Sequence, residues 1–504
     1  MTQHTQTTPP IEFSGSAASA TAHFPAQGRG LINAEVLAQL ASACTSITDS
    51  ATLAESGRDW WPLSLSWALR NETAALPSVV CQPRNTSEVS AVMRICNEAK
   101  IPVTPAGGRS GVTGASVPLY GGVLLDLTSL QGINAVDAVS GIVEVLPGTF
   151  GPDLESVLNA QHQLTVGHYP QSFDISTVGG WIACRGAGQF STRYGKIEDM
   201  VVGLEVVLAD GTVVLTGGAP AAAAGPDLTE VFLGSEGTLG VITRAWLRAH
   251  PLPEFRATAA YRFPTFAKGI EACRQLIRAG ATPAVLRLYD GSESKRSHEG
   301  DGTQATLLVL DEGNEQLVTA TMHIVQQYAT SNDAITADTA LVEKWLSHRN
   351  DTSALQSLTK KGFVVDTIEV AAPWSQLMDV NDAVVQAILQ VPHARSATCH
   401  LSHSYLDGAC VYFTFAATPP AEEFEKTYVA LWDAAQRAAL QAGANLSHHH
   451  GVGLNRHRFM TEALGTGMKV LQALKTTLDS NNILNPGKMG LSTGSNDAAL
   501  WPVR

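Results

Sequence analysis

The sequence predicts an α+β chain with two main domains, and three observations predict it. From Pro77 onward, short Val/Ile/Leu runs alternate with helical segments, as an α/β layer requires. Past Pro251-Leu252-Pro253 the pattern changes to longer strand–helix–strand units. At 504 residues the chain is long enough for two or three domains with separate cores.

Residues 1–30 are rich in Thr, Ser, Ala and Gly and have no basic segment leading into an apolar run, so they read as a loose tail and not a signal peptide. A helical segment completes 1–74. In the first domain, 75–253, residues 79–81 read as a strand. Residues 86–99 read as a helix with Thr86 or Ser87 at its N-cap. Residues 101–104 form a second strand that runs straight into Pro105-Ala106-Gly107-Gly108-Arg109-Ser110-Gly111-Val112-Thr113-Gly114. Residues 123–127 and 142–146 are further strands, 201–209 and 212–216 a hairpin on Asp210-Gly211, and 240–249 one more strand. The second domain, 254–440, holds strands at 258–263, 285–289 and 305–310, and helices at 266–279, 317–328 and 421–442. The closing segment, 441–504, carries Ser447-His448-His449-His450-Gly451-Val452-Gly453 and a helix stop and turn at Asn481-Asn482-Ile483-Leu484-Asn485-Pro486-Gly487-Lys488.

Lys+Arg 33 against Asp+Glu 46 gives a net charge of −13 with no basic block, which argues against nucleic acid or an anionic membrane as partner. A small molecule is expected instead. Seven scattered cysteines, with no C-x-x-C pair, argue against a disulfide framework or a structural zinc site and fit a cytoplasmic protein. No apolar stretch is long enough to span a bilayer.

The three consecutive histidines can exchange protons near neutral pH, and the glycines after them let the backbone pass close to a ligand. A surface loop or an adventitious metal-binding tract would look the same. Gly107-Gly108-Arg109-Ser110-Gly111 follows a strand, so its backbone N–H groups can form an anion site. It is not the G-x-G-x-x-G pattern, which disfavours a nicotinamide site. Residues 167–181 combine hydroxyls with paired glycines, with Cys184-Arg185-Gly186-Ala187 behind them, and residues 234–242 run from small residues into a strand. Each alone could be an ordinary turn.

In this order and at these separations the three loops resemble the FAD domain of the vanillyl-alcohol oxidase and p-cresol methylhydroxylase superfamily. The resemblance implies a PCMH-type FAD-binding domain of two α/β subdomains with an inserted α+β cap domain. It places FAD across Pro105, Ala106, Gly107, Gly108, Arg109, Ser110 and Gly111; across Gln171, Ser172, Phe173, Asp174, Ile175, Ser176 and Thr177; across Cys184, Arg185, Gly186 and Ala187; and across Ser235, Glu236, Gly237, Thr238, Leu239, Gly240 and Val241. Some members tether FAD to a histidine in the first glycine loop. Residues 105–114 contain none, so non-covalent FAD is expected, with His168 structural.

Within that superfamily, most of residues 75–490 resemble alkylglycerone-phosphate synthase, most specifically in Gly408-Ala409-Cys410-Val411-Tyr412-Phe413 and residues 446–453. The resemblance implies exchange of the acyl group of acyl-dihydroxyacetone phosphate for a fatty alcohol through a flavin N5 adduct, with no net redox. Tyr412 matches the family's proton donor/acceptor, and His448, His449 and His450 its catalytic triplet. If the loop is extended, His448 and His450 share a face and His449 points away. Arg287 matches a family arginine near the active site and suits a phosphate or carboxylate. A core aromatic for Tyr412 and a surface ion pair for Arg287 remain the plain alternatives.

Departures from that pattern are specific. The flavin-linked D-lactate and glycolate dehydrogenases of the superfamily bind a metal through two strand histidines and a loop glutamate. Here His403 has no second strand histidine, Tyr412 lies near its place, and the glutamate position is His448 or His449, so no metal is expected. The synthases have a phosphate-binding arginine before Ala372-Pro373-Trp374. This chain has Lys360-Lys361 there, and Arg349 is the substitute, placed like the carboxylate-binding arginine of the dehydrogenases. His400 and His403 add imidazoles foreign to the synthase pattern. The alternative function is therefore an FAD-linked oxidase or dehydrogenase of a 2-hydroxy acid such as D-lactate or glycolate, with Arg349 on the carboxylate and a histidine as base. A flavoprotein without catalysis would leave these ionisable groups idle. A lipid substrate would bring peripheral membrane contact, and a homodimer is left open.

Overall fold

The computed structural model describes residues 11–25, 30–351, 353–491 and 501. A four-stranded sheet is ordered Thr45–Ile47, Val79–Gln82, Val123–Asp126, Val103–Ala106, the last three parallel. Val79, Val80, Cys81, Val103, Val123, Leu124 and Leu125 are all buried, as strands covered on both faces must be. Helix Thr86–Ala99 makes the crossover. Its N-cap is Asn85, whose side chain accepts from Glu88 N, one residue before the expected Thr86 or Ser87. Pro105 is tolerated within Val103–Ala106 because that strand ends the sheet, where a missing N–H breaks no central ladder. The strand delivers the first glycine loop.

A five-stranded antiparallel sheet follows, ordered Val213–Gly217, Val201–Val207, Val241–Arg248, Ile142–Val145, Ile133–Asp137. Its hairpin turns through Asp210-Gly211, with Gly211 at φ +84°. The third sheet has seven antiparallel strands, ordered Ile335–Ala337, Phe255–Phe263, Ala305–Gly313, Val285–Tyr289, Ala394–Ser404, Gly408–Ala417, Val364–Pro373. Leu286 and Leu288 turn one face toward helices Phe266–Arg278, Glu315–Ser331, Leu377–Leu389 and Phe424–Gln441, through Ile270, Val325, Val380 and Leu431. The opposite face closes over the glycine loops.

Residues 11–25 are not the loose tail expected of them. Thr21–Ala22 pairs with Glu72–Thr73, Ile11 and Phe24 are buried, and the His23 ring stacks on Trp67 at 4.1 Å. The rest of that expected tail, 1–10 and 26–29, lies outside the described residues. Among the described residues no helix is long and apolar enough to cross a membrane, and all seven cysteines are free thiols.

Candidate active site

The three glycine loops and the cap sheet enclose a cavity of about 500 Å³. All of residues 105–111 line it, with Gln171, Ser172, Ile175, Ser176, Thr177, Cys184, Gly186, Ala187, Ser235, Glu236, Gly237, Gly240 and Val241. Gly107 and Gly108 let the first two loops touch. A Cβ on Gly107 would sit 2.3 Å from Thr177 Oγ1, and one on Gly108 2.3 Å from Ile175 O. Gly111 and Gly180 instead leave room for a Cβ, which would meet its nearest neighbours at the ordinary contact distances of 3.7 and 3.4 Å. Arg109 Nε on this wall is buried without a protein partner, as a site built for an anionic cofactor would leave it.

Five residues expected at the cofactor do not line the cavity. Phe173 packs under Gly151 and alongside Trp181, and Asp174 shares its single helical turn, which turns both away from the wall. Arg185 ends helix Val178–Cys184 in the left-handed conformation and points to Glu198 and Glu230. Thr238 donates to Ser235 O, and Leu239 belongs to the core.

At the far end, the histidine loop docks on the edge of the cap sheet. Asn445 N donates to Ala371 O at 2.9 Å, Ala371 N to Asn445 Oδ1 at 2.8 Å, and His448 N to Glu369 O at 3.3 Å. Glu369 Oε1 then accepts from Ser447 Oγ, His449 N and His450 N at 2.6, 3.2 and 2.8 Å. Gathering these donors on one oxygen bends the loop, so the alternation expected of an extended chain fails. His448 and His449 both turn toward His403, while His450 Nδ1 lies 3.0 Å from Glu369 Oε2. His449 and His450 line the cavity; His448 stands behind, its Nε2 2.6 Å from Tyr405 OH and its Nδ1 2.9 Å from His449 Nδ1. His403, at φ +53° on a bulge between Ser402 and Ser404, is anchored by Ser191 Oγ at 2.6 Å.

Burial holds His448 down to about 3, aided by Lys196, and holds His403 and His449 well below the ordinary imidazole range, so the cluster is uncharged at neutral pH. For Glu369, burial would raise the carboxyl, but Arg456 and His450 outweigh it and keep it well below the usual range. Burial pushes the Tyr412 phenol up; its hydroxyl donates to Thr367 Oγ1 at 3.0 Å and its ring stacks on His400 at 4.8 Å.

Arg287 lines the cavity, with Nε donating to Tyr289 OH at 2.9 Å and a terminal nitrogen 2.7 Å from His400 Nε2. A guanidinium cannot accept, so His400 Nε2 carries the lone pair and Nδ1–H donates to Glu293 Oε2 at 2.9 Å. Arg349 is not on the wall. It donates to Gln189 Oε1 at 2.8 Å and lies over Tyr169 and Phe190. Lys360 pairs with Glu12 at the surface, and Lys361 is exposed.

The donor nitrogens of His403, His448 and His449 lie within 4.8 Å of one another. The loop thus supplies two imidazoles where the expectation of no metal counted a missing strand ligand. The His403 and His448 rings are stacked at 5.0 Å and 27°. Glu369, Arg456, Ser191, Thr367, Asp59 and Trp60 were missed by the sequence reading. Only Glu369 carried a signal, a carboxylate that together with Asp366 interrupts the apolar run Val364-Val365-Asp366-Thr367-Ile368-Glu369-Val370.

A glycine-loop cavity beneath a seven-stranded cap defines a flavoprotein. The FAD binding domain model matches residues 77–217, and the model for the C-terminal domain of FAD linked oxidases matches residues 252–489. The chain is 32% identical over 437 residues to the uncharacterized FAD-linked oxidoreductase YgcU of Escherichia coli (strain K12), covering 82% of this chain and 89% of that one. It is 28% identical to the alkyldihydroxyacetonephosphate synthase of Dictyostelium discoideum (82% and 73% covered) and 28% identical to glycolate oxidase subunit GlcD of Bacillus subtilis (strain 168) (82% and 89%). A solved alkyldihydroxyacetonephosphate synthase shares the fold with a TM-score of 0.78 at 24% identity, over 95% of this chain and 89% of that one. The chain belongs to the PCMH-type family of FAD-linked flavoproteins, and FAD is its cofactor.

Proposed function

We propose that this flavoenzyme oxidises a small 2-hydroxy acid. The observation that carries the reading is Arg287, a cavity-lining cation that has no carboxylate partner among the described residues and stands beside His400, which burial holds below the ordinary imidazole range. Its unused N–H groups suit a bidentate carboxylate. Lys360, Lys361 and Arg349 all lie off the wall, which leaves little cationic charge for the phosphate that the synthase reading requires. Bound FAD supplies a two-electron acceptor for the hydride on the substrate's hydroxyl-bearing carbon.

The hydroxyl proton goes to His449. If His449 Nδ1–H donates to His448 Nδ1, and His448 Nε2–H to Tyr405 OH, His449 Nε2 keeps a lone pair toward the cavity. Positive charge gained there is shared along a chain that ends on Tyr405.

One arrangement favours the synthase reading as a second possibility: Tyr412 stacked on His400, with His450 edge-on at 5.6 Å and His449 at 6.0 Å, is a phenol poised among imidazoles for proton exchange. The test is anaerobic addition of D-lactate, glycolate and 2-hydroxyglutarate to the purified flavoprotein. Bleaching of the flavin with release of the keto acid supports oxidation. An oxidised flavin unchanged by all three acids, with ether formed from acyl-dihydroxyacetone phosphate and a long-chain alcohol, overturns it in favour of the synthase.

A further inference from the structure

Two residues upstream of every glycine loop, Asp59 and Trp60, line the flavin cavity. Asp59 is fully buried. Its Oδ1 accepts from Trp61 N at 3.1 Å, whereas Oδ2 is buried with no partner and would lie 3.7 Å from a Cβ on Gly111. Trp60 is sewn to the first glycine loop by its backbone N–H, which donates to Gly111 O at 2.8 Å, yet its indole Nε1 is also buried and unpartnered. Arg109 Nε on the same loop shares this condition. Buried donors and acceptors go unpaired at a high desolvation cost, so two such side chains and Arg109 on one wall mark polar ligand contacts.

We infer that Asp59 and Trp60 are FAD-binding residues: the Trp60 indole N–H donates to a cofactor phosphate oxygen beside the glycine loop, and Asp59 Oδ2 accepts from a cofactor hydroxyl or ring N–H. The pairing follows from chemistry. An indole N–H can only donate and so suits the anionic group that the loop's amides gather, whereas a carboxylate suits the polyol or a ring N–H. Burial pushes the Asp59 carboxyl up to about 7, against opposing pulls from the Trp61 N–H and from Lys488, buried close by with its side-chain nitrogen on Val117 O at 2.6 Å.

The test is flavin release from holoenzyme on dilution, read by fluorescence, for Trp60→Phe and Asp59→Asn. Loss of a hydrogen bond to an anionic oxygen should weaken FAD about tenfold or more in Trp60→Phe, and loss of the carboxyl acceptor about tenfold in Asp59→Asn. Melting temperatures under saturating FAD should match the parent protein. An unchanged FAD affinity in Trp60→Phe overturns the inference, as does a melting temperature that falls equally with and without saturating FAD, which marks a purely structural role. If Asp59→Asn does not fold, Trp60→Phe decides alone.

Discussion

Glu369 and Arg456 form a fully buried ion pair beneath the histidine loop. Both carboxylate oxygens bond the guanidinium, one at 3.0 Å, and both side chains are inaccessible to solvent. The same carboxylate collects Ser447, His449 and His450, so one residue of the cap sheet fixes the backbone of the triplet. From the other side, Glu236 of the third glycine loop accepts from Val452 N and from Gly453 N at 2.7 Å. The histidines hang between two buried carboxylates.

Removing one partner leaves the other charged and unpaired, so Glu369→Gln should cost about 3–5 kcal/mol of stability. Urea denaturation followed by flavin fluorescence measures this. Loss of turnover in the folded variant is also expected, because the loop loses its anchor. A denaturation midpoint equal to that of the parent would remove the ion pair from any structural role.

Arg287→Lys replaces a forked donor with a point charge. On the hydroxy-acid reading, KM for the acid should rise about 10- to 100-fold with kcat less affected and the flavin spectrum unchanged. Steady-state kinetics over a series of chain lengths would show it. Equal KM values would mean that the anion binds elsewhere.

How far the sequence reached follows from the range of the interactions. Helix Thr86–Ala99 and strand Val285–Tyr289 were legible to the residue, since their periodicity and turn residues are local. Strand Ala394–Ser404 is built largely of Ala, Ser, Thr, His and Cys, and its identity is set by pairing with Gly408–Ala417, which pairs in turn with Val364–Pro373. The direction of His449 depended on Glu369, 80 residues away in the chain. Glycine loops announce themselves by composition, but which side chains turn inward does not, and so Phe173 and Arg185, expected at the cofactor, do not line the cavity.

Acid should destabilise the protein earlier than carboxylate protonation alone would. His448 and His168 are held at about 3, chiefly by burial, whereas an unfolded histidine titrates near 6.5. Between those values the unfolded chain binds protons that the folded one refuses. Their stabilising contribution is full above about pH 6.5 and is lost as pH falls toward 3, at about 1.4 kcal/mol per pH unit per histidine. Melting temperatures at pH 7, 6 and 5 check it. His168, whose ring nitrogens are unpartnered against Trp181, is the cleaner probe, and His168→Phe should flatten the slope.

Gly108→Ala tests the cradle without touching the cap. A methyl there would meet Ile175 O at 2.3 Å and Phe150 Cε1 at 3.3 Å, and backbone cannot give way as a flexible side chain would. The first two glycine loops must then part, and FAD content after purification should fall several-fold. Retention of full flavin would show that the loops slide freely over one another.

Tyr412→Phe separates the two chemistries at one atom. The phenol donates to Thr367 Oγ1 and stacks on His400, so removing the hydroxyl costs one hydrogen bond while ring packing stays. Oxidation of a hydroxy acid relies on His449 for its proton and on Arg287 for its anion, and should keep most of its rate, losing less than about tenfold. Ether formation needs the phenol as acid and base and should fall by about 100-fold or more. Measuring both activities in the one variant, beside His449→Asn, assigns the proton. A hydroxy-acid activity that survives His449→Asn but collapses in Tyr412→Phe would transfer the base from the imidazole cluster to the phenol.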